Sequence, residues 1–141
     1  MTVIGLDFGE RRIGVAVSDP GGQIARPLLV IERSSRRDDM ARIAELVRSR
    51  RAQKVIVGLP LNLNGSLGPA ARRARRFGSA LGRELDLPIA LWDERLTTVE
   101  AERALLASDR SRQRRKEVRD AVAASLILQS YLDAHRENSP T

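Results

Sequence analysis

From Thr2 to Ile31 the apolar residues recur at spacings that suit strands, and over most of the remaining chain at spacings that suit helices. Strand character comes in three pieces, Thr2–Phe8, Arg12–Asp19 and Gln23–Ile31, where Val3, Ile13, Val15, Val17, Ile24 and the run Leu28–Ile31 carry the β-prone side chains. Gly9-Glu10 and Pro20-Gly21-Gly22 supply the turns, and connections this short join antiparallel neighbours. After Ser34-Ser35 the period changes: Met40, Ile43, Leu46 and Val47 mark one face of a helix, with Asp38 and Asp39 near the positive end of its dipole. Lys54–Leu59 is a short, nearly continuous apolar strand of the kind buried on both faces of a parallel sheet. A Gly/Asn/Pro-rich loop from Pro60 to Pro69 precedes a second helix, with Ala74, Phe77, Leu81 and Leu85 spaced by three and four. Pro88–Trp92 is another buried strand, and Thr97-x-x-Glu100 is a capping box that opens a third helix. Between Ser108 and Lys116 the chain turns polar and very basic, and from Glu117 to about His135 the helical pattern returns.

The order βββαβαβα predicts an α/β fold: a five-stranded mixed sheet, three antiparallel strands and then two parallel ones, with helices packed against it. Residues 1–136 are expected to form one domain and Glu137–Thr141 a frayed tail. A chain of 141 residues can bury a core without disulfides or a structural metal and has no room for a second lobe. The absence of Cys excludes disulfide frameworks, thiolate nucleophiles and Cys-based zinc sites, and the single histidine, His135, does not suit a Ser-His-Asp constellation or a multi-His metal site. No basic stretch leads an apolar core at the N-terminus, and no apolar run approaches ~18 residues. A soluble, cytoplasmic protein with no membrane partner is therefore expected. The 25 Lys+Arg against 18 Asp+Glu give a net charge of +7. Because all but two of those basic residues are Arg, the balance favours phosphate-rich partners over a merely solvated surface only if the charge is concentrated in the right place.

Three acidic positions are structurally awkward. Asp7 interrupts an apolar first strand just before Phe8-Gly9, so its carboxylate is expected inside the sheet, where an unpaired charge would cost several kcal/mol and requires a cation or several donors. Asp93-Glu94 end a buried strand, and alternation lets only one of the two share Asp7's face; the other pairs with Arg95 or orders the following turn. Asp120 precedes the apolar run Ala121–Leu128 and shares a helical stripe with Ala124 and Ile127, which aims it at the interior. Oxygen-only ligation selects a hard cation, Mg²⁺ or Mn²⁺. Combined with a phosphate-seeking surface, it suggests phosphodiester hydrolysis assisted by two metals ~3.5–4 Å apart.

The chain resembles the YqgF/RuvX family of the RNase H-like superfamily, which is similar to the RuvC-type resolvases. The matching stretches are Gly5–Gly9 with Arg12–Ala16, Ala25–Leu28, Val57–Asn62 with Gly65-Ser66, Asp93–Ala101, and Lys116–Asp120 with Ala123-Ala124 and Ile127-Leu128, in the family's order over nearly the whole chain. The resemblance implies an RNase H-like fold with Asp7, Glu94 and Asp120 as catalytic acids and metal ligands. It also implies a two-ion Mg²⁺ or Mn²⁺ site, the second ion arriving with substrate. Two substrates are implied, pre-16S rRNA at its 5′ end and, by likeness to RuvC, four-way DNA junctions. Cutting a junction symmetrically needs two sites in one complex, so a homodimer goes with the second. Where many relatives have a small polar residue and then Lys after Asp-Phe-Gly, Glu10 and Arg11 stand here. Glu10 is read as a turn residue, with a role beside the metals as the alternative, and Asp93 as a helper of the three acids.

Arg110, Arg112, Arg114, Arg115, Lys116 and Arg119 crowd the approach to Asp120, and this segment is read as a mobile phosphate clamp. Arg72, Arg73, Arg75 and Arg76 are read as flanking the same groove or as ordinary helix surface. Asn62 and Asn64 offer donors to phosphate or simply make a turn, and Arg11, Arg12 and Arg95 are further candidate contacts. Phe8, Phe77, Trp92 and Tyr131 lie in apolar patterns, so recognition is expected to run through backbone shape and charge and to weaken as salt rises. Three function classes follow: a metal-dependent endonuclease on structured RNA or branched DNA, a non-catalytic nucleic-acid-binding module of ribosome assembly, and an ATPase. The ATPase needs two lobes and a second phosphate loop, for which the chain has no room.

Overall fold

A computed structural model describes residues 1–97 and 112–136, with side chains over 1–97 and 121–135. Three strands, β1 (Val3–Phe8), β2 (Arg12–Ser18) and β3 (Ala25–Glu32), are followed by α1 (Arg36–Arg50), β4 (Lys54–Leu59), α2 (Pro69–Leu85), β5 (Ile89–Asp93), a 3₁₀ turn at Glu94–Leu96, and α3 (Arg112–Arg136). The sheet order is β3-β2-β1-β4-β5. β1 pairs antiparallel with β2 and β2 with β3, whereas β4 runs parallel to both β1 and β5. The expected mixed sheet is thus observed. Local chemistry fixes its helices: the Ser35 hydroxyl accepts from the Asp38 N–H at the start of α1, and Pro69 occupies the first turn of α2, where a missing N–H costs nothing. Pro27 is accommodated on the edge strand β3.

Side-chain alternation divides the core between the two faces of the sheet. Ile4 and Leu6 of β1, Ile13, Val15 and Val17 of β2, and Val55 and Val57 of β4 pack against Ile43 and Val47 of α1 and Ala74, Phe77 and Leu81 of α2. The intervening residues Val3, Ala16 and Ile56 pack against Ala123, Ala124, Ile127, Leu128, Tyr131 and Leu132 of α3. A Cβ on Gly5 would come within 2.7 Å of Leu128 Cβ, so the missing side chain lets α3 lie directly on β1. At the other end of α3, Lys54 Nζ donates to the Tyr131 hydroxyl beside the start of β4. α3 therefore runs antiparallel to β1 and β4, its first half over the ends where those strands stop.

One expectation changes here. The basic stretch up to Lys116 was expected outside the last helix, but α3 already includes Arg112–Lys116. Arg, Gln and Lys are good helix formers, and repulsion between neighbouring like charges costs only tenths of a kcal/mol each. Arg110, the helix opened by Thr97-x-x-Glu100 and the Glu137–Thr141 tail lie outside the described residues. Thr97 itself donates its hydroxyl to the Glu94 carbonyl, closing the 3₁₀ turn. No helix among the described residues is long and apolar enough to cross a membrane.

Candidate active site

Asp7 is the next-to-last residue of β1 and is only 8% exposed. It shares the α3 face with Val3 and Gly5 by alternation, and the residue directly opposite on β2 is Gly14. On the other side of β1, Leu6 pairs with Val57, so the register carries Asp7 beside Gly58 of β4, one strand spacing of about 4.8 Å away. A Cβ on Gly58 would meet Glu94 Oε2 at 2.9 Å and Ile127 Cδ1 at 2.7 Å. The Glu94 carboxylate thus lies over the bare backbone of Gly58, on the face and at the level of Asp7. Gly14 and Gly58, both buried, flank the acid, and the missing side chain at 58 makes room for the Glu94 carboxylate and the tip of Ile127.

Asp120 lies on α3 one turn, about 6 Å, before Ala124, whose carbonyl faces Gly5. Asp7 lies two strand residues, about 6.6 Å, beyond Gly5 in the same direction. The backbones of Asp7 and Asp120 are therefore level with each other; the Asp120 side chain is outside the described residues, as are those of Arg112, Arg114, Arg115, Lys116 and Arg119. Among the described residues no three His, Cys, Asp or Glu side chains gather around one metal position. The groups on this face are carboxylates, the donor chemistry of Mg²⁺ and Mn²⁺, and the space that a side chain at 58 would fill adjoins the Glu94 oxygen.

Alternation beyond β5 sorts the neighbouring pair. Trp92 is on the α3 face, its indole N–H donating to Ser130 Oγ at 3.0 Å, while Leu91 packs near Gly78 of α2. Asp93 follows Leu91 and takes a forked hydrogen bond from Arg95, 2.7 Å at its shortest, while also accepting the Arg95 backbone N–H. The Arg95 guanidinium holds the Asp93 carboxyl below the usual carboxylate range. Asp93 therefore orders the turn that carries Glu94 and does not join Asp7. Arg95 is itself engaged: it also donates to the Leu63 carbonyl and so braces the loop after β4.

The remaining candidates divide in the same way. Glu10 is 79% exposed in its side chain and reaches Arg73 of α2 at 3.8 Å, on the side away from Asp7, as befits a turn residue. Arg12 pairs with Glu32 at 2.8 Å, and Arg11 is exposed at the β1–β2 turn. Asn62 donates to Ser66 Oγ, and Asn64 Oδ1 accepts from both Ser66 N–H and Ser66 Oγ, so these amides hold their own loop. Arg72, Arg73, Arg75 and Arg76 do not flank the groove of the acids. The apolar stripe of α2 packs on the Val55–Val57 face, which puts this helix on the opposite side of the sheet. Gly58 escaped the sequence reading, although a glycine inside an apolar strand is a signal of close approach.

A family model described as RuvX: Holliday junction resolvase matches residues 1–134. A Pelotomaculum thermopropionicum protein named "Putative pre-16S rRNA nuclease" is 52% identical over 135 residues, 95% of this chain and 88% of the relative. A Thermoanaerobacter pseudethanolicus protein of the same name is 50% identical over 137 residues, 96% of this chain and 99% of the relative. Thermus thermophilus RuvC, solved in complex with a Holliday junction substrate, superposes with a TM-score of 0.60 at 18% identity, with 96% of each chain covered. The fowlpox virus Holliday junction resolvase gives 0.55 at 12%, covering 95% of this chain and 99% of that one. These two likenesses establish the RuvC-like RNase H fold. With half of its residues shared with close relatives along nearly its entire length, the chain belongs to the RuvX family of nucleases.

Proposed function

We propose that this protein is a divalent-metal-dependent endonuclease that hydrolyses phosphodiester bonds in structured nucleic acid, with the 5′ end of pre-16S rRNA as its principal substrate, in the cytoplasm. The observation that carries this reading is the Glu94 carboxylate over Gly58, at the β4 position next to Asp7 and on the same face. It is supported by the names of the relatives and by the position of the acids at the carboxyl ends of parallel strands, where open α/β sheets build their sites.

Asp7, on a strand laddered to β2, brings a buried carboxylate to this face. Glu94 is held by a turn that Asp93 and Arg95 lock, and Asp120 of α3 would complete the set of acids that hold the ion. Bound between these acids, Mg²⁺ or Mn²⁺ would supply an activated water and stabilise charge on the leaving oxygen. The absent side chain at Gly58 lets the Glu94 carboxylate settle beside Asp7. Positive charge on the first turns of α3, from Arg112 to Lys116, attracts the polyanion to this end of the sheet.

The test uses purified protein, Mg²⁺ or Mn²⁺, labelled pre-16S rRNA and a labelled four-way DNA junction. Wild type cuts the rRNA, and Asp7→Asn loses at least about 100-fold in rate, more than loss of an outer-shell partner costs, with binding within a few-fold. Cleavage by Asp7→Asn at the wild-type rate would overturn the mechanism. Cutting of the junction in preference to the rRNA favours the second substrate, for which the family description speaks. Binding without turnover favours the assembly module.

A further inference from the structure

A second charged cavity lies on the other side of the sheet. It encloses about 250 Å³, with Phe8 and Phe77 in its wall and Arg33, Arg36, Arg73 and Arg76 around them. The rings of Phe8 and Phe77 stack at 4.4 Å, and the Arg33 guanidinium lies 4.3 Å from the Phe8 centroid. The arginines come from three places: the residue after β3, the first turn of α1 and the first half of α2.

Their charge is not balanced locally. Asp39, 1% exposed, accepts the Ser34 N–H and sits 3.8 Å from Arg33, so it answers that one arginine. Glu10 stands 3.8 Å from Arg73 but is 79% exposed, and water screens a surface pair of this kind. Arg36 donates to the Arg76 backbone carbonyl at 3.2 Å, which draws a third guanidinium against the helix bearing the fourth. Arg76 meets no carboxylate among the described residues. The Nε of Arg33 is buried without a hydrogen-bond acceptor, although its Nη1 is engaged by the Gly9 and Glu10 carbonyls. Guanidinium forks converging on a concave wall are the donor set for phosphate oxygens.

We propose that this cavity is a phosphate-binding site, distinct from the acids, that takes a backbone phosphate of the nucleic-acid substrate as the strand passes over the carboxyl end of the sheet. Phe8 belongs to the cavity and Asp7 to the acids; the two are consecutive on β1, about 3.8 Å apart at Cα, and point to opposite faces. One strand crossing that end of the sheet can therefore meet both. At about 250 Å³ the cavity falls below the ~300–1,000 Å³ of a pocket that swallows a whole small molecule, which favours one group of a larger ligand. The site rests on the nuclease reading for its source of phosphate, but not for its chemistry, since free phosphate or pyrophosphate presents the same oxygens.

The experiment follows the arginine Nε–H resonances of ¹⁵N-labelled full-length protein during titration with inorganic pyrophosphate and, separately, with a single-stranded oligoribonucleotide, without divalent metal. The expected result is that both move the resonances of Arg33, Arg36, Arg73 and Arg76. The Arg36→Gln/Arg76→Gln protein, altered at two exposed side chains and checked for unchanged melting, should bind the oligonucleotide at least 10-fold more weakly. Its salt dependence should be shallower by about one unit of log K against log salt. Resonances that stay still with both ligands, or a double variant with wild-type affinity and slope, overturn the site. Movement with pyrophosphate alone keeps a phosphate site but overturns the substrate strand as its source. None of these readouts involves cleavage, so failure of the Asp7→Asn test would strike the nuclease reading and leave this one standing.

Discussion

The two faces of the sheet present opposite chemistry at the same end. Below α3, the strands offer Gly5, Gly14, Ala16 and Gly58, small residues that let the helix lie close to the sheet and the Glu94 carboxylate come down beside Asp7. Below α1 and α2 they offer Ile4, Leu6, Val55 and Val57, a filled aliphatic layer that ends in the Phe8–Phe77 stack and a ring of arginines. The difference teaches how a single strand serves two purposes. Because side chains alternate, Asp7 and Phe8 need no intervening structure to separate an acidic surface from a basic one.

The largest way to break this comparison is to empty the filled face. Phe77→Ala removes a ring that is 3% exposed and leaves Phe8 without its partner; a loss of about 3–5 kcal/mol in denaturant unfolding is expected. Next comes filling the α3 face. Gly58→Ala drives a Cβ into Ile127 Cδ1 and Glu94 Oε2, and Gly5→Ala drives one into Leu128 Cβ. Gly5→Ala meets Leu128 Cβ, close to the α3 backbone, and should cost about 1–3 kcal/mol by overpacking while lifting the helix that carries Asp120. Gly58→Ala meets only the far ends of Ile127 and Glu94, which shift at smaller cost, and moves the Glu94 carboxylate directly. At temperatures where it is folded, Gly58→Ala should therefore lose most of its cleavage activity for a small loss of stability, and wild-type activity would separate Gly58 from the site.

The smallest effect is electrostatic. Arg95 lowers the Asp93 pKa, so the pair stabilises the fold above the ordinary carboxylate pKa, and this contribution fades as pH falls through the depressed folded value. In Arg95→Ala the Asp93 carboxyl should titrate higher, back toward 3.8, as read by carbon chemical shifts, with stability at neutral pH little changed. An unmoved Asp93 titration would contradict the assigned partner.

How far the sequence could be read depended on whether local chemistry alone decided each feature. Lys54–Leu59 was legible to the residue because an unbroken apolar run bounded by polar residues and Pro60 has one reading as a strand. The starts of α1 and α2 were legible because the apolar period changes directly after Ser34-Ser35 and after the loop that ends at Pro69. The beginning of α3 was not: a dense run of Arg reads as a loop by charge and as a helix by propensity, and the helix extends to Arg112. Asp93 and Glu94 stayed ambiguous because the answer depended on the strand passing into a 3₁₀ turn, which carries Glu94 back over Gly58. The arginines of α2 were visible, but a helical wheel shows a helix's faces without saying which side of the sheet it covers. The cavity they share with Arg33 and Arg36 exists only once α1 and α2 lie side by side.

Whether the acids below α3 hold a divalent ion can be measured without any substrate, by adding Mn²⁺ to ¹⁵N-labelled protein and reading the paramagnetic relaxation of backbone amides. Relaxation should be strongest at Asp7, Gly58 and Glu94, decline across the sheet toward Arg76, and drop sharply in both Asp7→Asn and Glu94→Gln. Relaxation centred elsewhere, or unchanged in those two variants, would contradict a metal site at this end of the α3 face.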